Sequence, residues 1–511
     1  MPRALGVLAA VTGLTALTAA LSVPAEAASS SLTLTALGRD GRSVTLDARL
    51  YSLVDGSTAK IRTGRAKTLR TGRYAVLAGI ESGGTTTLAG TVVKVTGRSR
   101  LTFDARKGKP LGLSLDVDPA RWSQTDYAGV CIRHGGSSDR LSVWNDAGKV
   151  YAIPSAAKEL RSAYFGAWSG MGVDPSPDKV YVTGTAQGIP ARLGRAHRLA
   201  DLAKVDVQVR RGPAMSRDTD VNMESASARE CGLYGVSERF DAPGTLRAHV
   251  TPGSWSARVG TWTPTADSWR NSDWNGPWRT YAARQSFTEV FNRAVWGPRR
   301  NLPKVYSGKL SYYPDDLISD HTKSGGECCT MATVTLRRSG KVVKTQKLSQ
   351  WGSMKFFETK LPATGWYTLD VDAIRHHPKF KAPAGVLSPR ATVGWRFYAK
   401  KGRSLHAPSV LTKFSAWGLD KNNTAPAGST TTAGMWMDTA KGMPKLRKVA
   451  VQASFDEGRT WKAVTVRKKG TAWEVVVPNA ARAGYVALRT SVEDVQGGRS
   501  VQTIYRAYGL R

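Results

Sequence analysis

Acidic residues are scarce in this 511-residue chain: 39 Asp and Glu stand against 74 Lys and Arg, an excess of +35. Such a field disfavours cationic partners and attracts polyanions, whether teichoic-type wall polymers, acidic polysaccharides, extracellular nucleic acid or anionic lipid headgroups. The basic residues are spread along the chain, so a charge that merely keeps the protein soluble is an equally good reading. No module for sequence-specific reading of nucleic acid is expected. Cysteine is as sparse. Cys131, Cys231, Cys328 and Cys329 show no Cys-x-x-Cys spacing, which argues against zinc and for disulfides, with three pairings open. The seven histidines include no His-Glu-x-x-His, which excludes a metalloprotease helix of that type. Ser169, in Ala-Trp-Ser-Gly-Met, lacks the second small residue of a nucleophile elbow. No catalytic residue, resident metal or cofactor is therefore expected.

Long apolar runs are also missing, with one exception. After Arg3 an Ala/Leu/Val-rich stretch runs to Val23, diluted by Thr12, Gly13, Thr15 and Thr18, and Pro24 leads into Ala25-Glu26-Ala27. This is the pattern of a signal peptide over residues 1–27, cut before Ala28, rather than of a retained anchor. The mature chain is expected to be secreted, extracellular and not stably inserted in a membrane.

What is abundant is punctuation: 51 Gly and 24 Pro separate short alternating segments, an all-β pattern. Residues 28–118 carry SLTLTALG, RYAVLAGI and TTTLAGTVVKVTG at the spacing of a small sandwich of the transthyretin or carboxypeptidase-regulatory kind. Residues 119–245 form a less regular β domain, with a hairpin expected at Asp146-Ala147-Gly148 and a short helix near AAKELRSAY. Residues 246–402 make a Trp-rich sandwich. Within it Phe287, Val290, Phe291, Ala294 and Val295 recur at helical spacing, although the same stretch reads as an irregular strand too. Residues 403–511 hold seven short strands, enough for an Ig- or fibronectin-like sandwich, the last two joined at Gly497-Gly498. The fold class is thus several β-sandwich domains in tandem.

Two features are candidate ligand sites. KIRTGRAKTLRTGR places Lys60, Arg62, Arg65, Lys67, Arg70 and Arg73 among fourteen residues with no acid, either a polyanion patch or a charged strand edge protected from aggregation. The window around Trp262, Trp269, Trp274 and Trp278 offers indoles that can stack on sugars, although core packing should claim most of them. SFDEGRTW has the form of an Asp-box hairpin, giving Asp456, Gly458 and Trp461 structural roles; one intact copy does not make a propeller. Asp315, Asp316, Asp320, His321 and Glu327 form the densest polar loop, but fit no calcium-ligand spacing and read as a solvated loop.

The order of several segments resembles the non-catalytic C-terminal region of long secreted subtilisin-like serine peptidases of actinomycetes. They are LRTGRYAVLAGIES and LTFDARKGKPLGLSLD, then ARQSFTEVFNRAVWGP, SGKLSYYPDDLISDHTKSGG, GWYTLDVDA and TVGWRF, then NNTAPAGSTTT, VQASFDEGRTW and the C-terminal VALRTSVEDVQGGRSVQTIYRAYGLR. No His-Gly-Thr or Gly-Thr-Ser accompanies them, so no triad residue carries over. The resemblance implies a targeting, docking or stabilising module. Three functions follow: a non-enzymatic protein that binds an anionic cell-envelope or extracellular polymer; a docking partner of a separately encoded secreted peptidase; and, third, a cryptic glycan-directed hydrolase.

Overall fold

A computed structural model describes residues 30–170, 178–212, 218–262, 270–299, 302–314, 316–327, 330–349, 356–376, 385–402, 405–406, 410–439 and 443–511. The expected signal peptide, Trp269, Asp315, Cys328 and Cys329 lie outside them. Among the described residues regular structure is almost all strand, with one five-residue α-helix, Ala226–Glu230. No helix there is long and apolar enough to cross a membrane.

The first four sheets are stacked in layers. A three-stranded sheet (Ala66–Leu69, Ser30–Leu37, Arg98–Asp104) covers one face of a six-stranded sheet built on Asp47–Ser52, Gly72–Ser82 and Thr85–Val95. The other face of that sheet packs on a seven-stranded sheet containing Trp122–His134, Ser137–Asp146 and Leu160–Gly170, which in turn packs on a sheet built around Asp218–Ser225 and Gly253–Trp262. Inner strands buried on both faces need apolar residues without interruption rather than in alternation. In Gly72–Ser82, Val76, Ala78 and Ile80 enter the first core while Ala75 and Leu77 enter the second. In Leu160–Gly170, Tyr164 and Trp168 point one way and Ala163, Phe165 and Ala167 the other. The remaining chain forms a nine-stranded sheet shared by two sandwiches. Its Thr330–Arg338, Gly365–Arg375 and Arg390–Ala399 strands cover one core, and its Leu446–Ser454, Gly484–Asp494 and Arg499–Leu510 strands cover the other.

Pairing crosses every expected domain boundary. Val150–Ala152 lies parallel to Thr85–Val95; Gly244–Val250, which contains residue 245, sits between Lys179–Gln187 and Ala203–Val209; and Arg390–Ala399 pairs with Arg499–Leu510. The architecture is several β sandwiches in tandem, with strands that pair across from one into the sheet of the next.

Three local expectations are corrected. The stretch after Lys158 is the strand Leu160–Gly170, held between two partners, and not a helix. Ser286–Phe291 is a strand parallel to Ala203–Val209: its Phe, Thr and Val suit a pleated surface, and pairing overrides the helical spacing. The turn at Asp146-Ala147-Gly148 forms, with the Lys149 N–H donating to the Asp146 carbonyl at 3.1 Å, but it carries the chain from the seven-stranded to the six-stranded sheet and so is no hairpin. The Gly497-Gly498 hairpin does form; Asp494 Oδ1 accepts from the N–H groups of Gln496 and Gly498, both at 2.8 Å.

Cys131 and Cys231 are bonded, with Cα atoms 4.7 Å apart, and tie the seven-stranded sheet to the end of the short helix. Closing a segment of 100 residues limits the unfolded chain. Replacing both with serine should lower stability by about 3 kcal/mol, read as a reduced urea midpoint with a somewhat steeper slope, because the freed unfolded chain exposes more surface.

Candidate polyanion-binding surface

The basic run wraps one rim of the first sandwich. In the edge strand Thr58–Arg62 the pleat sends Ile61 into the core and leaves Lys60 and Arg62 in solvent, about 7 Å apart for an i, i+2 pair. The chain then crosses from the six-stranded to the three-stranded sheet at Thr63-Gly64-Arg65. Thr63 Oγ1 accepts from the Leu46 N–H and donates to the Val44 carbonyl, both at 3.0 Å. Gly64 lies at φ 76°, a left-handed conformation that favours glycine. Its N–H donates to the Leu34 carbonyl at 2.8 Å. Beyond the crossover, Ala66–Leu69 is the other edge strand, where Lys67 is half-buried opposite Leu32. Arg70 and Arg73 are exposed, and Arg73 is ion-paired with Glu159. The other five cations of the run form no ion pair with a described residue.

Two cations that the composition of this run does not include extend the surface. Arg98 and Arg100, exposed on the far strand of the three-stranded sheet, stand in register with Ser31 and Thr33, whose other neighbours in register are Thr68 and Ala66. The outer face is thus a row of small and hydroxyl side chains bounded by arginines. The alternation Arg-Ser-Arg-Leu-Thr-Phe was the available signal. The exposed cations follow two edge strands and the far strand of the sheet, an arrangement suited to the length of a polymer.

The tryptophans divide. Trp274 is fully buried in the core beneath the Gly253–Trp262 strand, as are Trp255 and Trp296 in their cores, so its candidacy as a sugar platform is corrected. Trp262 is half-buried, its indole N–H donating to Asp220 Oδ1 at 2.9 Å and its ring covered by Arg239 at 5.3 Å. Trp278 remains 44 % exposed, with the Arg229 guanidinium 5.8 Å from its ring. Among the described residues the most exposed indole is one outside the tryptophan-rich window, Trp144 at 65 %.

At SFDEGRTW, Asp456 Oδ1 accepts from Ser454 Oγ at 2.8 Å and from the Thr460 N–H at 2.9 Å. Hydrogen bonds from the Thr460 hydroxyl and N–H hold its carboxyl down at about 2. Gly458 lies at φ 86°, and the Trp461 indole N–H donates to the Gly458 carbonyl at 2.9 Å. Arg489 covers the Trp461 ring at 3.9 Å. The hydrogen bonds close the turn on itself, and Arg489 ties it to the neighbouring strand Gly484–Asp494.

The polar loop is not solvated as expected. Asp316, Asp320 and His321 are buried: Asp316 accepts from Arg299 at 2.6 Å, and Asp320 Oδ1 accepts from the Thr322 N–H and hydroxyl at 2.8 and 2.7 Å. Among the described residues no group of three or more His, Cys, Asp or Glu could hold a metal ion. Ser169 lies within a strand and donates to Glu238 Oε1 at 3.1 Å, a partner that offers no imidazole base.

No protein-family model matches the chain, and no curated protein matches it in sequence. Among solved structures it is similar to Escherichia coli alpha-2-macroglobulin activated by porcine elastase, at 10 % identity and a TM-score of 0.16. That alignment covers 94 % of this chain and 53 % of that one, and at so low a score it carries no argument about fold or function.

Proposed function

We propose that this protein binds an anionic polymer of the cell envelope or extracellular space, without catalysis, through the basic rim at residues 60–73 extended by Arg98 and Arg100. The observation that carries this reading is that Lys60, Arg62, Arg65, Lys67 and Arg70 stand at a sheet rim with no acid paired to them. Charge on an edge strand also guards it against aggregation, and a linear polyanion can in addition bridge successive cations along these two edge strands. Such a surface suits an accessory region that holds a secreted peptidase near an anionic wall, in keeping with the family resemblance.

The test is sedimentation of the purified protein with an envelope fraction rich in anionic polymer, across a salt titration. With about three cations engaged, at roughly 0.7 log unit per contact, a tenfold rise in salt should weaken binding about a hundredfold. Reversing Lys60, Arg62 and Arg65 to glutamate should lower affinity at low salt to a similar degree. Binding indifferent to salt and to these changes would defeat the proposal, and co-purification of a peptidase instead would favour the docking role.

A further inference from the structure

A cleft of about 570 Å³ opens where the turn joining Gly72–Ser82 to Thr85–Val95 meets the edge strand Ser137–Asp146. That volume lies in the range of small-ligand sites. Its walls are neutral or acidic: Glu81, Thr85, Ser142, Trp144 and Asn145 line it, and no lysine or arginine does. In a chain of charge +35 this is a local exception, and it makes the cleft a poor place for an anion.

The cleft is built on fixed parts. The pleat of the edge strand buries Val143 and turns Trp144 outward. Gly79 lets Val143 approach, since a Cβ there would lie 2.8 Å from Val143 Cγ1. Asn145 Nδ2 donates to the Gly84 carbonyl at 3.1 Å and to Thr86 Oγ1 at 3.2 Å, locking the strand to the turn. Trp144 stacks on Tyr127 with centroids 6.3 Å apart, and Tyr127 meets Phe165 edge-on at 5.7 Å, so the exposed indole is backed by rings that lead into the core. A rigid indole with one open face loses little freedom on binding.

We propose that this cleft is a saccharide subsite, in which Trp144 stacks on the face of a neutral pyranose while Glu81, Ser142 and Thr85 hydrogen-bond its hydroxyl groups. The C–H bonds on one face of a pyranose present positive edges to the negative face of the indole, and its rim of hydroxyls matches a wall of carboxylate, hydroxyl and amide. An apolar ligand would leave these polar groups unpaired. The inference does not rest on the basic rim, and the two lie toward opposite ends of the strand Gly72–Ser82, so that a long glycan carrying both neutral and anionic units could engage both.

The test uses the full chain with cellotetraose and chitotetraose, followed by saturation-transfer NMR and calorimetry in high salt, where the rim is screened. Saturable binding of at least one tetramer is expected, weakened about tenfold or more by Trp144→Ala, less by Trp144→Phe, and unchanged by charge reversal at Lys60, Arg62 and Arg65. Ser142→Arg, which fills the cleft from an exposed position, should abolish binding independently of the indole. Binding of neither tetramer by the folded protein, or equal affinity in wild type, Trp144→Ala and Ser142→Arg, overturns the assignment.

Discussion

Replacing Asn423 with alanine should cost about 4 kcal/mol of stability, although this residue lies in a loop. Its Nδ2 donates to the carbonyls of Arg211 and Asn292, both at 2.9 Å, and its Oδ1 accepts from the Ala294 N–H at 3.1 Å and from Arg210 at 3.4 Å. One amide thus closes three segments far apart in sequence. It is fully buried, so a methyl group would leave backbone donors and acceptors without partners and out of reach of water. The backbone there has φ 60°, which asparagine tolerates better than alanine. Asn423→Gly separates the two effects, since it relieves the backbone but not the lost amide. Urea unfolding of both variants reads the result, and a loss below about 1 kcal/mol in each would show that the amide is replaceable.

The second large effect concerns acid. His321 is buried against the C-terminal sandwich, where its Nδ1 accepts from the Phe414 N–H at 2.8 Å. Burial, and then the charge of Lys413, lower its pKa to about 3. The unfolded chain therefore binds this proton more readily than the fold does. The contribution is complete above the ordinary histidine value near 6.5 and is lost as pH falls toward 3, about 5 kcal/mol over that whole window. His197, lowered to about 4 chiefly by burial, acts in the same direction. Asp320 opposes them: burial raises its carboxyl, so its protonation is easier in the fold and its contribution grows as pH falls. The expected net result is a urea midpoint that drops steadily between neutral pH and pH 4 or so. His321→Gln should flatten that slope; an unchanged slope would remove His321 as its main cause.

Much of the β architecture could be read from the chain because strands impose local demands. After Arg73, RYAVLAGI is an unbroken apolar run since both faces of its strand are covered, and Asp494 to Gly498 spells a turn whose acceptor and glycine are both required. What a strand pairs with is not a local property. Nothing near Asp146 says that Val150–Ala152 leaves for another sheet, and the spacing of Phe287 and Phe291 suits a helix until Ala203–Val209 is alongside. The site was half legible for the same reason. Lys60 and Arg62 alternate with Ile61, which marks them as outward, whereas Trp274 and Trp144 differ only in what lies opposite. For Trp144 a clue existed in the neighbouring Val143, whose burial sends the indole outward.

The strand Arg499–Leu510 lies between Arg390–Ala399 and Gly484–Asp494 in the nine-stranded sheet. During synthesis, Arg390–Ala399 must wait for about a hundred further residues before its second edge is covered. Throughout that interval it offers unpaired backbone groups to any other extended chain, the circumstance that favours misassociation between nascent molecules. Joining two sandwiches through one late strand thus couples their completion, so that a ribosome stalled before residue 499 leaves two open sheet edges, one on each side of the missing strand.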